Sequence, residues 1–145
     1  MLDGTRVVGL VEPIGFPSSS IKFQREATEA IESLSAEDRL GTVHDTFQHA
    51  LATDPDTMVR HIRVVHISGI VGDTNILTDL LDAQRVLVDE TDRTETSAQM
   101  KRLLEAGYTG AFSYECTSSL IQGIIDPEAR IAASITYLRR LQGQQ

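Results

Sequence analysis

Short runs of β-branched and aliphatic residues alternate along this chain with stretches whose apolar positions recur at helical spacing, the two periods that separate strands from helices. The first run, RVVGLVE at 6–12, is closed by Pro13 and Gly15, which turn an extended segment. SSSIKFQREATEAIESLSAED follows, with Ile21, Ala27, Ile31 and Leu34 near helical spacing and Ser18 to Ser20 as the expected caps of its first turn. LGTVHD at 40–45 predicts a second strand. TFQHALATDPDTMVRH is then expected to be helical in two pieces, the second opened by Asp54 and Pro55, because a proline in the first turn needs no N–H. IRVVHIS at 62–68 is the clearest strand pattern in the chain.

A segment without clear periodicity, 69–93, comes next and reads as a long functional or mobile loop. TSAQMKRLLEAGYTG restores the helical period through Met100, Leu103 and Leu104, with Gly107 as its expected C-terminal cap. AFSYE at 111–115 predicts the fourth strand. The last helix opens at Asp126-Pro127-Glu128 and carries Ile131, Ile135 and Leu138 along one face, and the tail LRRLQGQQ is expected to fray.

Four apolar strands, each followed by a helix, predict one α/β domain over 1–145 built on a parallel sheet, since parallel neighbours need helical crossovers. No glycine fingerprint follows the first strand, where Glu12-Pro13 stands instead, so a barrel-type sheet is preferred to a dinucleotide-binding one. In such a barrel the chemistry sits at the carboxyl ends of the strands, and these ends offer Glu12, Asp45, His66 and Glu115. Three carboxylates and one imidazole make a mixed oxygen and nitrogen donor set suited to Mg²⁺, Mn²⁺ or Co²⁺ and, less often, Zn²⁺. Taken singly, each has a plainer reading. Asp45 before Thr46 is also a helix cap, and His66 is also a core histidine. Four in register favour a site, because carboxylates gathered without a cation repel and protonate.

Composition narrows the function classes. The 145 residues carry 13 basic and 21 acidic side chains, a net charge of −8, which opposes a nucleic-acid partner and in particular a DNA repair endonuclease. The single cysteine, Cys116, rules out a disulfide within the chain and is expected to pack as a small buried residue. Asp3, Arg6 and Glu12 interrupt the apolar N-terminus, so neither a signal peptide nor a membrane span is expected, and the cytoplasm is the expected setting.

VGLVEPIGF, VHDTFQHAL, IRVVHISG and GYTGAFSYE together resemble the last four strand ends of the xylose-isomerase-like TIM barrels, the sugar phosphate isomerases and epimerases that include inosose isomerases and dehydratases and ketose 3-epimerases. The resemblance runs from Val7 to about Leu138 and covers the C-terminal half of a barrel, about four βα units. It implies that Glu12, Asp45, His66 and Glu115 are metal ligands, with Glu12 and Glu115 doubling as acid and base groups. It also implies proton abstraction next to the carbonyl of a small polyhydroxy substrate, through an enediolate, ending in isomerisation or epimerisation. Inosose dehydration begins with the same proton and stays open.

Where the family commonly has a substrate-binding histidine three residues after the aspartate, this chain has Gln48, with His49 next; Gln48 can still contact substrate but cannot titrate. Arg85 is a second candidate substrate contact, for a phosphate or polyol oxygen, weighed evenly against an exposed loop arginine. His44, beside Asp45, is weighed between orienting a ligand or substrate and packing against the helices, the strand face on which alternation places it; Tyr108 and Phe112 are expected to pack at the last helix–strand junction, and His49 and His61 have no assigned role. A complete barrel needs about 250 residues. The expected completions are a homodimer or a separate N-terminal half, the alternative being a truncated, noncatalytic half barrel.

Overall fold

The computed structural model describes residues 5–72 and 79–143. Four strands form one parallel sheet in the order β1 (Gly9–Val11), β2 (Leu40–Asp45), β3 (Ile62–Ile67) and β6 (Ala111–Tyr114). Helices α1 (Gln24–Ser33), α2 (Thr46–Ala52) and α3 (Thr96–Glu105) lie in the connections, and α4 (Ser119–Gln122) and α5 (Pro127–Leu141) follow the last strand. This is the expected half-barrel α/β architecture. Among the described residues no helix is long and apolar enough to cross a membrane.

The two faces of the sheet differ. Thr42 and His44 reach α1 and α3, while Ile62, Val65 and Ile67 pack with Met100, Leu103 and Leu138 of α3 and α5, so one face carries the helices and the main core. The ladder pairs Val65 with Phe112 and Ile67 with Tyr114 on that face, and Leu10 with Gly41, Val64 with Ala111 and His66 with Ser113 on the other. On this inner face Leu10 is 44% exposed, and Ala111 and Ser113 are exposed too. The register slips by one residue where Thr42 pairs with Ile62 but Val43 with Val64. Arg63 is the extra residue of this bulge.

Several local expectations change. The first strand is trimmed to Gly9–Val11, and α1 starts at Gln24 instead of near the serines. Its first turn is satisfied by Glu26, whose Oε2 accepts from the N–H groups of Lys22 (2.7 Å) and Phe23 (2.9 Å), and by Asp54, whose Oδ2 accepts from Gln24 N–H (2.7 Å). With Asp54 so engaged, no α-helix starts at Pro55; α2 ends at Thr53 in the left-handed region, and only a 3-10 turn forms at Val59–His61. The aperiodic segment contains a two-stranded antiparallel ribbon, β4 (Gly69–Ile70) with β5 (Arg85–Val86), and a 3-10 turn at Asp82–Gln84; residues 73–78 of that segment lie outside the described ones. Gly107, at φ 92°, closes α3 as expected.

On α5 the buried positions are Ser134 and Leu138, while Ile131 is exposed, so the packed face is rotated from the expected one. Ser134 holds it there by donating to Val88 O (2.6 Å) and accepting from Tyr114 Oη (2.7 Å). The helix runs to Leu141, into the expected frayed tail. Tyr108 and Phe112 meet edge to face at 5.3 Å, and the Tyr108 hydroxyl donates to Ala111 O. Cys116 is half-buried, not buried.

Candidate metal centre

Each strand delivers its donor by pleat alternation. Asp45 pairs with His66 in the ladder, and Glu115 continues β6 by donating its N–H to Ile67 O at 3.0 Å. Glu12 follows β1 directly. The four side chains share the inner face, and one donor atom from each lies within 4.8 Å of all the others. His66 Nδ1 is 3.2 Å from Glu115 Oε2 and 3.9 Å from both Glu12 Oε2 and Asp45 Oδ2. That nitrogen is buried, yet it makes no hydrogen bond.

Asp45 does two jobs, one per oxygen. Oδ1 accepts from Gln48 N–H (2.9 Å) and so caps α2, while Oδ2 accepts from Arg85 Nη2 at 2.5 Å. Asp45 is therefore the cap that its place before Thr46 predicts, and its second oxygen faces the cluster. Arg85 is only 2% exposed. Its Nη1 also approaches Glu115 Oε2 (3.1 Å) and Asp82 Oδ1 (3.4 Å), its Nε donates to Ser68 Oγ (3.1 Å), and its guanidinium lies 5.1 Å from the centre of the Phe47 ring. Arg85 is thus neither an exposed loop arginine nor open to solvent; its donors face the carboxylates.

Gln48 is buried, and its Oε1 accepts from Gly15 N–H at 2.9 Å while Nε2 extends towards Asp82 Oδ1 at 3.5 Å. The loop after Glu12 crosses α2 so closely that a Cβ on Gly15 would stand 2.3 Å from Gln48 O. Glycine alone allows that approach.

Behind the donors runs a buried polar network. Gln99 Nε2 donates to Thr46 O (2.9 Å) and Thr94 O (2.7 Å), which fixes its Oε1 as the acceptor 2.9 Å from His44 Nε2. His44 is therefore the neutral Nε2–H tautomer. Thr96 Oγ1 donates to Ser68 O at 2.9 Å, tying α3 to the loop that holds Arg85. His44 faces the helices as alternation predicts; its ring lies 4.6 Å from that of His49. His61 is on the other side of the chain, 2.9 Å from Glu32.

The sequence reading missed Ser68, Asp82 and Gln99. Ser68 lies two residues beyond His66, and that even spacing was a usable signal. Asp82 lies three residues before Arg85, a spacing that also offered a signal, whereas the bond of Gln99 to His44 spans 55 residues and has no local mark.

The electrostatics match a cluster short of positive charge. Burial, with Asp45 and Glu115 close by, pushes the Glu12 carboxyl up to about 7. Burial also raises Asp45, to about 6, against the pull of Arg85. For Glu115, burial opposes the charge, but hydrogen bonding with Asp45 and the nearness of Arg85 and His66 hold it below its ordinary value. A divalent cation fits this donor set on two observations. His66 Nδ1 is buried and makes no hydrogen bond, and three carboxylates gather around it.

A parallel half-barrel with a mixed carboxylate and histidine cluster at its strand ends defines the class. Among solved structures, the chain is similar to a xylose isomerase domain-containing protein from Salmonella typhimurium LT2, at 31% identity and a TM-score of 0.80, over 94% of this chain and 51% of that one. It is also similar in fold to a xylose isomerase domain protein from Alicyclobacillus acidocaldarius, at 20% identity and a TM-score of 0.71, over 97% of this chain and 51% of that one. The chain spans about half the length of these structures, and its fold is that of a half-length xylose-isomerase-like protein. Neither a protein-family model nor a curated protein matches it.

Proposed function

We propose that Glu12, Asp45, His66 and Glu115 hold one divalent metal ion, Mn²⁺, Mg²⁺ or Co²⁺ with Zn²⁺ as a further candidate, for a sugar or polyol isomerase or epimerase reaction. The observation that supports this best is the convergence of all four donors within 4.8 Å. When bound, the ion would polarise the substrate carbonyl and lower the acidity barrier of the adjacent C–H.

The residues of the chain divide the remaining work. Glu115, held ionised by its neighbours, takes the proton from the carbon beside the carbonyl, and the electron pair moves into an enediolate. Glu12, across the same cluster from Glu115, is the second carboxylate placed to return a proton. Return to the same carbon from the opposite face gives an epimer; return to the neighbouring carbon gives an isomer. Gln48 and Arg85 act as positioning residues in the wall of the site: Gln48 fixes the Gly15 loop beside Glu12, and Arg85 fixes the orientation of Asp45 and Glu115.

Turnover also needs walls that exclude water. With Leu10, Ala111 and Ser113 exposed on the inner face, we propose that a second half, either another copy of the chain or a separate N-terminal half, completes the pocket. Native mass spectrometry with metal analysis tests both parts, followed by assays against ketoses and inososes. One divalent ion per chain, lost in Glu115→Gln and His66→Ala, is the expected result. A chain that binds no divalent ion removes the enzyme reading and leaves a noncatalytic half barrel.

A further inference from the structure

The oxygens that face His66 are not free. Asp45 Oδ2 and Glu115 Oε2, at 3.9 and 3.2 Å from His66 Nδ1, are the same two atoms that Arg85 engages at 2.5 and 3.1 Å. The guanidinium is immobilised from every side: Ser68 Oγ takes Nε, Asp82 receives Nη1, and the Phe47 ring lies beneath it. Arginine cannot give up its charge in a protein, so this cation is permanent. A divalent ion at the same carboxylates would share its ligand oxygens with a fixed positive charge at hydrogen-bond distance. Such a neighbour weakens metal attraction and, when the metal leaves, neutralises part of the charge left behind.

We propose that Arg85 is the resident counter-ion of this cluster, and that by sharing Asp45 Oδ2 and Glu115 Oε2 it keeps the bound metal weakly held and exchangeable. The inference rests on the metal-site reading above and says how tightly that site binds. Two consequences separate it from a purely structural arginine. Removing the charge while keeping donors should tighten metal binding, and the metal-free chain should keep its fold.

Mn²⁺ binding is measured at pH 8 by electron paramagnetic resonance in the wild type, Arg85→Gln and Arg85→Lys. Arg85→Gln is expected to bind at least tenfold more tightly than the wild type, and Arg85→Lys within threefold of it. A wild type that binds Mn²⁺ while Arg85→Gln binds equally or less tightly overturns this inference alone, and so does an Arg85→Lys protein that gains as much as Arg85→Gln. Absence of binding in all three overturns the metal site itself and this inference with it. A measurement on the wild type needs no variant to fold: chelation of the metal is expected to lower Tm by only a few degrees. Unfolding on chelation would mean that Arg85 does not serve as counter-ion.

Discussion

Replacing Glu12 by Gln separates what the cluster does for function from what it does to stability. Burial and two neighbouring carboxylates raise the Glu12 carboxyl from 4.5 to about 7. A raised folded value means that the native state binds a proton the unfolded chain gives up, so the contribution to stability is complete below about 4.5 and is lost as pH rises through about 7. For a fully screened-off group that shift would correspond to about 3 kcal/mol. The Glu12 side chain is 26% exposed, and solvent screening brings the expectation to about 1–2 kcal/mol.

Metal-free Glu12→Gln, a neutral near-isostere, should therefore be more stable than the metal-free wild type at pH 8, by about 1–2 kcal/mol in urea unfolding or about 3–8 °C in Tm. The two proteins should converge as pH falls towards 4. The same substitution removes a carboxylate donor, so Mn²⁺ affinity should drop about a hundredfold or more. A gain in metal-free stability joined to a loss of metal binding is the pattern of a residue kept for its chemistry. Equal or lower stability of Glu12→Gln at pH 8, or wild-type Mn²⁺ affinity, would refute the reasoning.

Three further outcomes follow from the same geometry. His66→Ala removes an imidazole whose Nδ1 makes no hydrogen bond, so it should abolish detectable Mn²⁺ binding while changing urea stability by no more than about 1 kcal/mol. Burial lowers the His44 imidazole from 6.5 to about 4, so the stability that His44 contributes is present above pH 6.5 and lost as pH falls towards 4. The stability advantage of the wild type over His44→Leu should shrink by about 2–3 kcal/mol between pH 7 and pH 4, and an advantage that stays constant would speak against it. Gln99→Leu strands the Thr46 and Thr94 carbonyls and His44 Nε2 in the interior; a loss of about 2–4 kcal/mol in urea unfolding is expected, and a neutral result would show that this network bears no load.

The strands were legible because each is an apolar run, and the candidate donors because each run stops on a polar residue at the same end. Less legible were features decided by distant partners. Asp54-Pro55 has the local grammar of a helix start, but its carboxylate is claimed by Gln24, 30 residues earlier, and the second helical piece never forms. The same contact displaces the start of α1 from the serines. The ribbon of β4 and β5 has two residues per strand, too few to carry a period. Arg85 therefore read as a loop residue, although it is among the most buried charges in the chain. On α5 the apolar spacing pointed to Ile131, while the hydrogen bonds of Ser134 set the face that packs.

The bulge at Arg63 connects the core to the site. Ile62 and Val65 both lie in the helix-facing core although they are three residues apart, which a regular strand, alternating every residue, cannot do. The extra residue absorbs that mismatch below Val64, so Val65 and Ile67 face the helices while His66 pairs with Asp45 on the inner face. A strand without it would satisfy either Ile62 or Val65, not both, and a one-residue slip of the remainder would turn His66 into the core. The imidazole thus reaches Glu12, Asp45 and Glu115 because the irregularity sits at the start of β3, leaving the stretch from Val64 onward in regular register with both β2 and β6. The four side chains come from four neighbouring strands, so the cluster forms within one half-barrel sheet, and on the function proposed above a second half would add enclosure.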